Sequence, residues 1–173
     1  LSIMDSNLIL ECFAGTLQAD PNLRNQAESK LKELSVSPGF LGACLDVIDL
    51  SSSPVQAKKA AAVYFKNRFI RYWEAKDSQY KIDQDEKPIV KERILPVIIN
   101  ADYNIKQQLI PALKLLVALD FDNWGWDYWI NGSIIATGKT WKIIFILVCS
   151  ALRRSPESIN GSVMKIDKIN CIQ

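Results

Sequence analysis

A proline-led break that returns at a fixed interval constrains this chain more than any other feature. Asp20-Pro21 recurs as Ser53-Pro54, 33 positions on from Pro21 to Pro54, and Ala27 recurs as Ala60 at the same offset. Proline is tolerated in the first turn of a helix, because its missing N–H has no intrahelical acceptor there. Each break therefore opens a helix, and the residue before the proline, Asp20 or Ser53, reads as its N-cap. Helix–turn–helix units that return at about this period are the mark of an α-solenoid. An ordinary helical bundle would satisfy the same apolar stripes, and the repeated Pro and Ala favour the solenoid.

The stripes themselves predict six helices up to about Phe121. Asp5 or Ser6 caps the first, which carries Leu8, Ile9, Cys12, Phe13 and Leu17 and ends near Ala19. Pro21 opens the second, with Leu23, Ala27, Leu31 and Leu34 at helical spacing. Ser37-Pro38-Gly39 breaks the chain before a third bearing Phe40, Leu41, Cys44, Leu45 and Ile48. The fourth runs from Ser53 to Trp73, and a polar loop from Glu74 to Asp83 follows it. Asp85 caps a fifth with Ile89, Val90, Ile94, Val97 and Ile98, which Pro96 should kink. Ile105, Leu109, Ala112, Leu113, Leu116 and Leu119 mark the sixth, with Pro111 inside it.

The fourth helix has two faces. At 100° per residue Ala61, Ala62, Phe65, Phe69 and Tyr72 share a side that grades from small to large and suits helix packing. Opposite them, Lys59, Lys66, Asn67 and Arg71 surround Val63 and Ile70. That side is too apolar for a solvated face and too charged for a core, so it reads as a surface for a partner.

Composition removes several classes of chemistry. The 173 residues are 49% hydrophobic and 23% charged, enough for a sizeable core in one domain or a short solenoid. There is no histidine, which excludes Ser-His and Cys-His nucleophilic sites and the commonest zinc ligand. A net charge of +2 points to no polyanion, so no nucleic-acid partner is expected. Cys12, Cys44, Cys149 and Cys171 form no CxxC pair, so neither a metal nor a redox motif is expected, and reduced thiols fit an intracellular protein. The opening residues lack a charged segment followed by an apolar one, which makes secretion an unfavoured expectation. Ile143 to Cys149, the longest apolar run, falls far short of the about 20 residues that span a bilayer. No catalytic residue, metal or cofactor is expected.

Three segments carry a resemblance: LRNQAESKLKELSVSPGFLGACLDVI from Leu23 to Ile48, VQAKKAAAVYFKNRFIRYW from Val55 to Trp73, and LIPALKLLVALDFDNW from Leu109 to Trp124. Together they resemble the Ran-binding N-terminal region of the importin-beta (karyopherin-beta) nuclear transport receptors. That family has an "R..AE..L" second helix, a "KN" pair late in the fourth and "DFP..W" after the sixth; the pair here is Lys66-Asn67, and the "DFP" proline is replaced by Asp122. The segment DEKPIVKERILP, Asp85 to Pro96, looks most like fungal relatives of the importin seven and eight subgroup. Coverage is roughly the first 124 residues.

The resemblance implies an all-α, right-handed solenoid of HEAT-type helix pairs, about three repeats over residues 1–124, with a divergent tail over 125–173. It implies a non-enzymatic carrier that shuttles between cytoplasm and nucleus, whose opening repeats clasp the GTP-bound small GTPase Ran. Cargo proteins, and nucleoporins, would be the partners of a full-length receptor. Lys66 and Asn67 are the leading candidates for contact with Ran, and Arg71 and Lys59 follow. A generic HEAT or armadillo scaffold that never meets Ran is the competing expectation.

After Trp124 the family pattern is lost. Trp124, Trp126, Trp129 and Trp141 crowd into one short segment, an abrupt change of composition. Codons for Lys142 to Ser150 exist that, read in a frame displaced by two nucleotides, give a helix like the family's next repeat. The tail is therefore expected to be either an out-of-frame product or a degenerate fourth repeat with an amphipathic helix over 139–154. Gly138-Lys139-Thr140 resembles the end of a phosphate-binding loop, but Gly132 stands one position too far upstream for the full motif.

Overall fold

The computed structural model describes residues 4–75 and 78–135, with side chains through Leu119. Six helices follow in order: α1 (Ser6–Gly15), α2 (Pro21–Leu34), α3 (Phe40–Asp49), α4 (Val55–Tyr72), α5 (Glu86–Asn100) and α6 (Tyr103–Ile135). The chain divides into two compact units, Leu1–Leu113 and Lys114–Gln173. The first holds α1 to α5 and the opening turns of α6, and the described part of the second is the remainder of α6. The expected helix over 139–154, Gly138-Lys139-Thr140, Cys149 and Cys171 lie outside the described residues. Among the described residues no helix is long and apolar enough to cross a membrane.

Within the first unit the helices pair in the order of a HEAT array. The turns Thr16 to Asp20 and Leu50 to Pro54 fold α2 back on α1 and α4 back on α3. The first helices of successive pairs then stack, α1 on α3 and α3 on α5. Asp46 on α3 ties that layer together: its carboxylate accepts from Ser6 Oγ on α1 at 2.5 Å and pairs with Arg93 Nη2 on α5 at 2.6 Å.

Helix α3 is the centre of the unit, packed against α1, α4 and α5. Phe40, Leu41, Ala43, Cys44, Leu45, Val47 and Ile48 are all buried, so this helix is apolar nearly all round. Burial pushes the Cys44 thiol well up from its ordinary value, and the Glu86 carboxylate adds to the rise. It is an inert core group. Helix α4 buries the side expected of it: Ala57, Ala61, Ala62, Phe65 and Phe69. Small residues on its first turns let it approach α3 closely, while the last turns fill space with stacked rings. Phe65 lies 5.7 Å from Phe69, and Phe69 lies 4.2 Å from Trp73. Each such buried aromatic contributes roughly 1.5–3 kcal/mol.

The start of α3 has no cap of its own. Gly39 occupies the left-handed region at φ 83°, a conformation that a β-carbon disfavours, and it offers no side chain to the helix. Glu86, the first residue of α5, supplies the missing acceptor. Its Oε2 accepts from Gly39 N–H at 3.0 Å, and its Oε1 accepts from Leu41 N–H at 2.7 Å and Gly42 N–H at 3.3 Å. This carboxylate is only 3% exposed. A buried anion is tolerated here because charge-assisted bonds and the positive end of the helix compensate its lost hydration.

Several expectations are corrected at the helix ends. Ser53 does not cap α4: Pro54 is the N-cap, and the Ser53 hydroxyl is buried with no partner among the described residues. Asp85 does not cap α5 through its side chain either. Asp83 takes that task, its Oδ1 accepting from Asp85 N–H at 3.2 Å and its carbonyl from Glu86 N–H at 3.1 Å. Of the two residues proposed for α1, Asp5 is the N-cap and accepts from Asn7 N–H at 2.9 Å. Helix α5 runs on through Pro96, which is exposed.

Some side chains also fall elsewhere than the periodicity indicates. Tyr72 is half-buried rather than core, Ile89 and Leu119 are exposed, and Ile82 in the polar loop is fully buried. Helix α6 continues past Phe121 and through Trp124 to Ile135.

Two tests follow from this packing. Glu86→Gln keeps one acceptor oxygen but turns an amide donor toward a backbone donor, so stability should fall by about 1.5–3 kcal/mol, read from the urea midpoint at unchanged m-value. A β-carbon at Gly15 would stand 2.6 Å from Ala27 Cβ, whereas at Gly42 nothing lies within 4 Å. Gly15→Ala should therefore cost about 1–3 kcal/mol by prising α1 from α2, while Gly42→Ala should be neutral or stabilise by up to about 1 kcal/mol.

Candidate functional site

The partner-facing side expected on α4 is a real surface. Lys59, Asn67 and Arg71 are exposed, Ile70 is 48% exposed, and Val63 is half-buried between them. At 1.5 Å rise per residue, Lys59 and Arg71 stand about 18 Å apart along one side of the helix. These three polar residues make no hydrogen bond or ion pair within the described residues, although Arg71 lies 6.0 Å from the Tyr72 ring.

Lys66 is set apart from them. It is half-buried, and its ammonium donates to Gln108 Oε1 on α6 at 2.7 Å. Its hydrogen-bonding capacity is partly used inside the unit, tying the end of one helix pair to the next.

Beside this stripe a groove of about 910 Å³ opens between α2 and α4. Lys32 and Glu33 from α2 and Asn67, Arg68, Arg71 and Tyr72 from α4 are among the residues that line it. Glu33 is already answered by Lys30, whose ammonium stands 3.2 Å from its carboxylate. Residual charge in the groove is therefore positive.

Arg68 is the residue that sequence reading missed. It is only 5% exposed, and its Nη2 donates to the Val36 carbonyl at 3.2 Å. Burial lowers its pKa while the nearby Glu86 charge raises it in part, and an arginine keeps its proton under both influences. The signal was available in the register, because Tyr64, Arg68 and Tyr72 recur every four residues along the flank of the core stripe. Tyr64 packs edge-on against Phe13 and Phe40, and burial raises its pKa.

Chemically the face offers cations, an amide and apolar patches. Among the described residues no group of His, Cys, Asp or Glu could hold a metal ion.

A protein-family model described as "Importin-beta N-terminal domain" matches residues 27–100, from within α2 to the end of α5. The chain carries the N-terminal domain of the importin-beta family. The yeast (Saccharomyces cerevisiae) protein named nonsense-mediated mRNA decay protein 5 is 33% identical over 141 residues, covering 76% of this chain and 14% of its own length. Zebrafish (Danio rerio) importin-8 is 28% identical over 125 residues, 68% of this chain and 12% of that protein. Drosophila melanogaster exportin-2 is 28% identical over 128 residues, 70% of this chain and 13% of that protein. The chain thus spans about a seventh or less of these relatives. Its matched region includes the whole of α4 and the Glu86 cap.

The division of labour along α4 is testable by stability alone. Asn67→Ala and Arg71→Ala should leave stability within about 0.5 kcal/mol of the parent, as expected for exposed groups. Lys66→Ala should cost about 1 kcal/mol through the lost bond to Gln108, measured by chemical denaturation.

Proposed function

We propose that the chain corresponds to the N-terminal repeats of a nuclear transport receptor and that the exposed side of α4 binds the GTP-bound form of Ran. The observation that supports this most is the coincidence of the importin-beta N-terminal domain over residues 27–100 with an uncommitted polar stripe on α4. Names such as importin-8 and exportin-2 among the relatives support transport between cytoplasm and nucleus as the activity of the full protein. A receptor of this kind is an interaction protein and not an enzyme.

Recognition would rest on complementary chemistry. Lys59 and Arg71 contribute charge at either end of the stripe, and Arg71 adds a planar fork suited to a carboxylate. Asn67 both donates to and accepts from an exposed backbone. Lys66, engaged by Gln108, contributes long-range charge and holds α4 in place more than it contacts the partner.

Regulation would be linkage. Ran-GTP and cargo bind the same solenoid in different curvatures, so each weakens the other, with a coupling of about 1–3 kcal/mol typical of such systems. Stacked pairs joined by a few side-chain ties, such as Asp46 with Ser6 and Arg93, deform in small steps that add along the array.

The test is a pull-down and titration with Ran loaded with GTP or GDP. Binding should be selective for the GTP form, and an Asn67→Ala, Arg71→Ala double variant should lose about tenfold or more in affinity. Absence of binding to either nucleotide form would leave a HEAT scaffold for another partner. Unchanged affinity in the double variant would remove the α4 stripe as the contact.

A further inference from the structure

The α2–α4 groove contains a cation whose hydrogen-bonding capacity is only partly met among the described residues. Arg68 is 95% buried, yet Nε and Nη1 have no hydrogen-bond partner among the described residues. Its third nitrogen is used on the Val36 carbonyl. Glu86 is near enough to influence it, but both Glu86 oxygens are committed to backbone amides of Gly39, Leu41 and Gly42. Asp46 is committed to Ser6 and Arg93. The guanidinium cannot escape its charge by releasing a proton, so a buried, half-answered donor set persists at the wall of the groove.

We propose that this groove receives an acidic side chain of a partner polypeptide, its carboxylate bonding to the unanswered donors of Arg68 while an adjoining apolar side chain rests on Ile70. The fork of a guanidinium matches a planar carboxylate. Lys32 and Arg71 at the rim extend the positive field that draws an acidic segment in. The remaining lining favours a peptide over a free ion: Tyr64, Tyr72 and Tyr80 give aromatic walls, and Ile70 is exposed beside them. Tyr72 acts as the cover, with its ring 5.8 Å from the Arg68 guanidinium carbon and edge-on to Tyr80 at 5.9 Å. Admitting the carboxylate requires the half-buried Tyr72 ring to swing aside. The inference rests on the groove being partner-facing and does not require that the partner be Ran.

The experiment titrates the isotope-labelled full chain with N-acetyl-Leu-Glu-Leu-amide and, separately, with its Leu-Gln-Leu counterpart, following the Arg68 Nε–H signal assigned through its own side-chain carbons. A saturable shift with the Glu peptide and none with the Gln peptide is expected. A Lys32→Gln, Arg71→Gln double variant, altered only at groove-rim side chains, should bind the Glu peptide about three- to tenfold more weakly. An unmoved Arg68 signal, or equal shifts with both peptides, would overturn the proposal. Inorganic phosphate shifting the signal at lower concentration than the Glu peptide would overturn the carboxylate assignment. None of these readouts involves Ran, so failure here and failure of GTP-dependent Ran binding are separate results.

Discussion

A buried carboxylate at the start of a buried helix organises the first unit. Helix α3 touches α1, α4 and α5, and its N-terminal amides have no local side-chain cap. Glu86 answers three of them from the first turn of α5. The cap of one helix pair is thus a residue of the next. Cooperation between neighbouring pairs follows, because neither α3 nor α5 can move without exposing either an unpaired anion or unpaired amides. Asp46 repeats the principle on the same layer with Ser6 and Arg93.

The same carboxylate shapes the face across the sheet of helices. Because Glu86 is consumed by backbone donors, it influences Arg68 through its charge without forming a hydrogen bond to it. Arg68 is left to the Val36 carbonyl, the Tyr72 ring and the groove. One commitment in the core therefore determines which polar group remains available at the surface. Helix α4 joins the two, with Phe65 and Phe69 in the core and Asn67 and Arg71 outside.

Much of this was legible from residue order. Apart from Tyr72 and Leu119, the stripes on α3, α4 and α6 lie where their periodicity places them, because a helix's geometry turns spacing directly into a face. The proline-led breaks at Pro21 and Pro54 mark the true helix starts to within a residue. Capping was less legible. Ser53 and Asp85 have the right chemistry in the right place, yet the first is buried with no partner among the described residues and the second yields to Asp83. A cap depends on the backbone path of the preceding turn, which composition does not reveal. The exposed members of the candidate face, Lys59, Asn67 and Arg71, were identified from α4 alone; the engagement of Lys66 by Gln108 could not be, since the two stand 42 positions apart.

Over the described residues, the sequence by itself determined that the chain is helical, how the helices pair, and the apolar sides of α3 and α4. Those properties arise from contacts within a few residues, where proline, small residues and the 3.6-residue repeat act directly. Only the tertiary structure decided that Glu86 is a cap rather than a surface charge, that Lys66 is tied inward, and that Arg68 is buried with two of its nitrogens unbonded among the described residues. Each of those outcomes depends on which distant backbone or side-chain group arrives beside a charge. For a charge, that neighbourhood sets the balance between lost hydration and gained bonds.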